Sequence, residues 1–169
     1  FMKPISARTG PNDPVVLPCS LSDSAAVDAL VGQAEAALGK LDILVSNAGM
    51  TKDGLLLRMK DEDWESVLKV NLEAYFRLSH AALKNMMRNR WGRLIAITSV
   101  VGVTGNPGQG NYAASKAGLI GFSKALAQEV VPTQPTGQAR ARQRVFAGNR
   151  PSTTILLDRL DARTVGGLL

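Results

Sequence analysis

Among its 169 residues the chain has one cysteine, Cys19, and one histidine, His80. A single thiol excludes an internal disulfide and fits a reducing cytosol, so a cytoplasmic location is expected. The same thiol sits in an apolar run that reads as a strand, where a buried, inert sulfur is the ordinary outcome. One imidazole without Cys or His companions gives no metal-ligand spacing, so no metal is expected. No apolar run approaches the ~20 residues of a membrane span, and no signal-peptide pattern opens the chain. Aromatic residues are sparse at 5%, while the hydrophobic share of 45% is that of a globular protein. The length suits one domain and is short for two. There are no internal repeats.

Lysine is missing from one region. Residues 131–169 hold six arginines, two aspartates and no lysine, a net +4 of the chain's +6. The pI near 9.8 is therefore largely a property of this tail, and it gives no ground for a nucleic-acid partner. Two units are expected: an α/β domain over 1–130 and an Arg-rich tail of unrelated character over 131–169 that is not a domain.

The motif that carries most is Tyr112-x-x-x-Lys116, thirteen residues after Ser99. On a helix, residues four apart share a face, so the phenol and the ammonium become neighbours. A phenol near pKa 10 exchanges protons poorly at neutral pH. A nearby cation favours the phenolate, which makes Tyr112 a candidate general acid or base. The spacing alone equally describes an ordinary helix with an aromatic beside a surface lysine.

Three further segments place the motif. Leu94-Ile95-Ala96-Ile97 reads as a buried parallel strand that breaks into a loop at Ser99 and Gly102. Leu41-Asp42-Ile43-Leu44-Val45 reads as a second strand, ending in Ser46-Asn47-Ala48-Gly49, residues small and polar enough for close ligand approach. Ligands of open parallel sheets bind beyond the carboxyl ends of strands, which is where Ser99 and Asn47–Gly49 fall. Asp61-Glu62-Asp63-Trp64 opens an acid-capped amphipathic helix that runs toward Asn71, a polar residue in an apolar neighbourhood. Val15–Cys19 reads as a strand, and Asp23 as the start of a helix from Ser24 to Leu38, with a stripe of Val27, Leu30, Val31, Ala34 and Leu38. Thr153–Leu157 is a further possible strand.

Taken together, these strings resemble the central part of the short-chain dehydrogenase/reductase family over residues 38–130. Within it they are similar to the reductases that act on 3-oxoacyl groups in bacterial fatty acid synthesis. The resemblance rests on Leu41–Gly49, Leu55–Trp64, Val70-Asn71-Leu72, Arg90-Trp91-Gly92-Arg93, Ser99–Gly102 and Gly108–Lys124. It implies an α/β, Rossmann-type doubly wound parallel sheet, here incomplete. It further implies a tetrad: Tyr112 as proton donor, Lys116 lowering its pKa and bonding the nicotinamide ribose, Ser99 orienting the substrate carbonyl, and Asn71 holding a relay water. Asn47, Ala48 and Gly49 join Tyr112 and Lys116 as cofactor-binding residues. The implied cofactor is NADP (NADPH). The implied substrate is a 3-oxoacyl group on acyl carrier protein, and the implied assembly a homo-oligomer through the helices at 71–90 and 111–130. Neither nucleic acid nor membrane is implied as a partner.

The chain also departs from the family's pattern. The Thr-Gly-x-x-x-Gly-x-Gly turn that holds the cofactor phosphates does not precede Leu41, so the chain reads as truncated at its start and NADPH binding is expected to be weak. Gly102, Gly105, Gly108 and Gly110 lie between Ser99 and Tyr112, in a loop on the substrate side or simply a long turn. Ser20 replaces the Asp or Asn near the adenine, and Ser46 the first Asn of Asn-Asn-Ala-Gly. After Val130 the family's next strand and Pro-Gly turn give way to the Arg-rich text, which reads as a shifted frame or an appended tail. An acetoacetyl-CoA or other small-carbonyl reductase, and an inactive fragment or subunit-docking module, remain alternatives. With 41–45 and 93–98 as the sole true neighbours in the sheet, 41–45 is expected to show an unpaired apolar edge, a template for aggregation.

Overall fold

A computed structural model describes residues 15–130 in full, and the backbone of two strands, Arg142–Ala147 and Thr153–Asp158. The elements run α1 (Ser24–Leu38), β1 (Ile43–Ser46), a 3₁₀ turn (Leu56–Arg58), α2 (Asp61–Leu68), a π turn (Lys69–Glu73) and α3 (Ala74–Arg88). They continue with β2 (Arg93–Ile97), α4 (Val101–Thr104), α5 (Gly110–Val130), β3 (Arg142–Ala147) and β4 (Thr153–Asp158).

Local chemistry accounts for the helix boundaries. Asp23 is extended, and its carboxylate accepts from the amides of Ala25 and Ala26, closing the first turn of α1. Gly39 ends the helix at φ 84°, a conformation that disfavours a side chain. Asp61, Glu62 and Asp63 fill the first turn of α2, where negative charge meets the exposed amides. Val27 and Val31 of the expected α1 stripe are buried, Leu30 and Ala34 are half-buried, and Leu38 is exposed, because the helix ends there and turns away from the core.

β1 and β2 pair in parallel, Ile43 opposite Arg93 through Ser46 opposite Ala96. The crossover between them is α2, the π turn and α3. Leu94 and Ala96 of β2 point to the covered face. Leu94 packs with Val27 and Val31 of α1, Leu78 and Met86 of α3 and Leu126 of α5, and Ala96 packs with Tyr75 and Leu119. On the other face Ile43 and Val45 are about half exposed. Burying one face of a sheet under helices that cross over between parallel strands is the logic of α/β folds.

One sequence expectation requires correction. Val15–Cys19 pairs with nothing among the described residues and is not a strand. An apolar run has strand propensity, but a strand exists through its neighbour, and β1 offers its free edge to no described segment. Cys19 is accordingly half-buried rather than sealed in a sheet. The parallel β1–β2 pair with its crossover helices is the expected α/β sheet in incomplete form, and an antiparallel pair extends the sheet on the far side of β2. Its order is β1-β2-β4-β3, with β4 antiparallel to both β2 and β3. Thr153–Leu157, read from the sequence only as a possible strand, lies within β4, which occupies the side of β2 away from β1. β1 stands at the end of the sheet among the described residues.

Candidate active site

The carboxyl ends of β1 and β2 open into a cleft of about 330 Å³, lined by Asn47, Gly49, Met50, Thr51, Ile97, Thr98, Tyr112 and Lys116. Each strand contributes the residues that follow its last paired position. α5 packs on the covered face of β2, Leu126 in the cluster of Leu94 and Leu119 in that of Ala96, and its first turns deliver Tyr112 and Lys116 to the strand's carboxyl end.

Lys116 is 5% exposed. Its ammonium donates to the carbonyl of Ile97 at 2.9 Å and lies 5.6 Å from the centre of the Tyr112 ring. Burial lowers the Lys116 pKa from its ordinary value, since the charged form loses water. The close approach of α5 needs Gly102: a Cβ there would come within 2.8 Å of the Lys116 carbonyl carbon and 2.9 Å of the Ala117 nitrogen. The glycines of this loop thus serve different ends. Gly105 and Gly108 have φ 71° and 77°, and the carbonyl of Gly108 accepts from the amide of Gly54 at 2.7 Å.

Asn71 sits in the π turn, a widened helical turn often found at functional sites. Its Oδ1 accepts from the Met50 amide at 2.8 Å, and its Nδ2 donates to the Met50 carbonyl at 2.9 Å and to Ser115 Oγ at 3.0 Å. Both donor hydrogens of the amide are used within the protein. A Cβ on Gly49 would lie 3.1 Å from Asn71 Oδ1 and 3.6 Å from Lys116 Nζ, so these three residues converge at one point under the cleft.

The remaining expected residues are placed as follows. Asn47, Ala48 and Gly49 form the exposed turn after β1; Asn47 and Gly49 line the cleft and Ala48 does not. Ser99 is buried one residue beyond the lining Thr98, and its Oγ accepts from the amide of Val101 at 3.3 Å, at the start of α4. The geometry therefore brings Tyr112, Lys116, Asn47 and Gly49 to the cleft wall, sets Asn71 beneath it, and leaves Ser99 beside it.

Sequence reasoning missed two residues. Ser115 Oγ, fully buried, donates to the Tyr112 carbonyl at 2.8 Å while accepting from Asn71. Asn111, also fully buried, accepts from the Tyr112 amide at 2.7 Å and donates to the carbonyls of Lys52 and Asp63 at 2.8 and 3.3 Å. Their adjacency to Tyr112 and Lys116 was the available signal. A polar residue on the inward side of an otherwise apolar helix needs a buried partner.

The size of the cleft falls in the range of small-ligand pockets, and a fixed ammonium and a phenol stand in its wall. Among the described residues no cluster of His, Cys, Asp or Glu could hold a metal, and no described helix is long and apolar enough to cross a membrane.

The chain thus combines a parallel β-α-β unit with a helix that brings a Tyr-x-x-x-Lys pair to the carboxyl end of β2. The chain belongs to the short-chain dehydrogenase family, whose model matches residues 6–136. It is 63% identical over 115 residues to Nodulation protein G of Rhizobium sp. (strain N33), across 68% of this chain and 47% of that protein. It is 54% identical over 111 residues to the 3-oxoacyl-[acyl-carrier-protein] reductase FabG of Escherichia coli (strain K12), across 66% of this chain and 46% of that protein. The chain spans about half the length of these curated relatives.

Proposed function

We propose that residues 1–130 carry the proton-transfer half of an NADPH-dependent reductase that converts a 3-oxoacyl group on acyl carrier protein to the 3-hydroxyacyl form, in the cytoplasm. The observation that carries this reading is the buried Lys116 ammonium, tied to the end of β2 and set over the Tyr112 ring in a cleft of cofactor size. The cofactor, when bound, supplies a hydride. Tyr112 gives its phenolic proton to the carbonyl oxygen, and Lys116 provides the adjacent positive charge and a donor toward the ribose. Ser99 orients the substrate carbonyl. Asn71 pins the Gly49–Met50 backbone and stands where a relay water would meet Lys116. Asn47 and Gly49 form the wall against which the nicotinamide ribose packs, and Ala48 joins them in the same turn as a cofactor-side residue outside that wall.

The similarity to a 3-oxoacyl-[acyl-carrier-protein] reductase supports the substrate class, and the similarity to a nodulation protein leaves the acyl chain open. Arg-rich residues 131–169 have no part in this reading and are proposed to be no separate domain. Assembly into a homo-oligomer is supported by Phe76 and Met87, large apolar residues about half exposed on α3. A chain extended to the relatives' length with the flanking segments of the E. coli reductase should oxidise NADPH in the presence of acetoacetyl-acyl carrier protein. Absence of turnover in a folded, NADPH-binding chimera would overturn the proposal. Turnover with acetoacetyl-CoA and none with the carrier-bound substrate would favour the small-carbonyl alternative. The same Phe76 and Met87 also suit a docking module without activity, which would bind intact family subunits and show no turnover in the chimera.

A further inference from the structure

Tyr112 is held at both ends of its own peptide by side chains that lead to one loop. Its amide donates to Asn111 Oδ1, and Asn111 Nδ2 donates to the carbonyls of Lys52 and Asp63. Its carbonyl accepts from Ser115 Oγ, and Ser115 accepts from Asn71, whose amide grips both backbone polar groups of Met50. The loop so gripped, 50–54, supplies Met50 and Thr51 to the cleft wall. Its far end is tied to the α5 side again, by the amide of Gly54 on the Gly108 carbonyl and by Gln109 Nε2 on Asp53 Oδ2 at 3.0 Å. Inner and outer ties therefore join the same two segments.

We propose that Asn111 is a positioning residue that couples loop 50–54 to Tyr112, so that the order of the cleft wall and the placement of the phenol are one property. The chemistry of the amide is what the position requires. One oxygen accepts from the start of α5, while one NH₂ donates to two carbonyls, of the loop and of the first turn of α2. An aspartate keeps the acceptor and loses both donors. An alanine loses everything and leaves the Lys52 carbonyl and the Tyr112 amide to find other partners, while the Asp63 carbonyl keeps Ser66 Oγ at 3.2 Å. A molecule entering the cleft touches Met50 or Thr51, and through Asn111 and Ser115 it acts on the Tyr112 peptide without touching Tyr112.

The proposal rests on reading Tyr112 as the proton donor, but its test needs neither cofactor nor substrate. Amide hydrogen exchange is followed by mass spectrometry on the full 169-residue chain and on Asn111→Asp. The expected result is roughly tenfold faster exchange over 50–54, with residues 113–130 of α5 within twofold of the parent, since local opening is read segment by segment. Equal loss of protection everywhere would assign Asn111 a general structural role and overturn the proposal, as would unchanged exchange over 50–54. Should Asn111→Asp not fold, Gln109→Ala, a change in the outer tie at the rim, decides. Faster exchange over 50–54 together with faster exchange at Tyr112 supports the coupling, and faster exchange over 50–54 with Tyr112 unchanged, or no change at either segment, overturns it. In an active chimera, Asn111→Asp should lower kcat about tenfold or more with KM for NADPH nearly constant. Success of the exchange measurement with an inert Tyr112→Phe phenotype would sink the proton-donor reading and leave the tether intact.

Discussion

Asn71 and Met50 form a closed pair, the side-chain amide of one bonded to both the N–H and the C=O of the other, at 2.8 and 2.9 Å. The pair fixes the backbone just beyond Gly49, and Gly49 is the point where a Cβ would meet Asn71 Oδ1 at 3.1 Å. Asn71 cannot yield, being held by three hydrogen bonds. Gly49→Ala is therefore expected to destabilise the chain by about 1–2 kcal/mol, and Asn71→Ala by about 1–3 kcal/mol, since two buried backbone groups lose partners. Urea unfolding of the three proteins checks this. Equal midpoints would show that the pair contributes nothing.

Burial of the Lys116 ammonium has a signed consequence for pH. Its pKa in the folded chain lies below the ordinary 10.5 because of desolvation. Between the two values the unfolded chain binds more protons, so stability rises with pH across that interval and is lost as pH falls through the folded value. Lys116→Met, which keeps the stem and removes the charge, should raise stability at pH 7 by on the order of 1 kcal/mol. The gain should shrink as pH approaches 10.5. Thermal unfolding of both proteins from pH 7 to 10.5 tests it, and a pH-independent difference would refute the assignment to charge burial.

Tyr112→Phe removes the proposed proton donor and little volume. In the chimera with the flanking segments of the E. coli reductase, turnover should fall about 10²–10⁴-fold. NADPH affinity should stay within about twofold, which fluorescence titration measures. Full turnover by the variant would mean that another group supplies the proton.

The 169 residues contain no Thr-Gly-x-x-x-Gly-x-Gly turn before the first strand. Backbone amides of such a turn, with a helix start, hold the pyrophosphate. NADPH is expected to bind this chain with Kd at millimolar or weaker, roughly 4 kcal/mol or less. Calorimetry giving micromolar affinity would contradict this.

Among the described residues the outer edge of β1 is unpaired, at the end of the sheet, and Val45 is 54% exposed. Such an edge pairs readily with another chain. The chain should therefore self-associate, and Val45→Lys should raise its soluble fraction several-fold in sedimentation, with helix content unchanged. Equal sedimentation of the two proteins would place the association elsewhere.

Local elements were legible because their causes are local. Asp23, the stripe at Val27 and Val31, and Gly39 carry the start, face and end of α1 within one short stretch of chain. The runs at 41–45 and 94–97 marked β1 and β2 by β-branched composition, and the four-residue spacing of Tyr112 and Lys116 placed both on one helical face. Val15–Cys19 misled for the opposite reason. Its composition is strand-like, yet a strand is a property of two segments.

The amino-acid sequence by itself determined which residues could bear chemistry: a phenol, an ammonium, a serine past a strand and an amide in an apolar helix. What the tertiary structure alone decided is which groups those side chains meet. Lys116 finds the Ile97 carbonyl 19 positions away, Asn71 finds Met50 and Ser115 at 21 and 44, and Asn111 reaches back 59 to Lys52. No periodicity of 2 or 3.6 encodes such pairings, because they are made by packing α5 and the π turn against β2 and the segment that follows β1. A buried amide must find partners wherever the fold brings them.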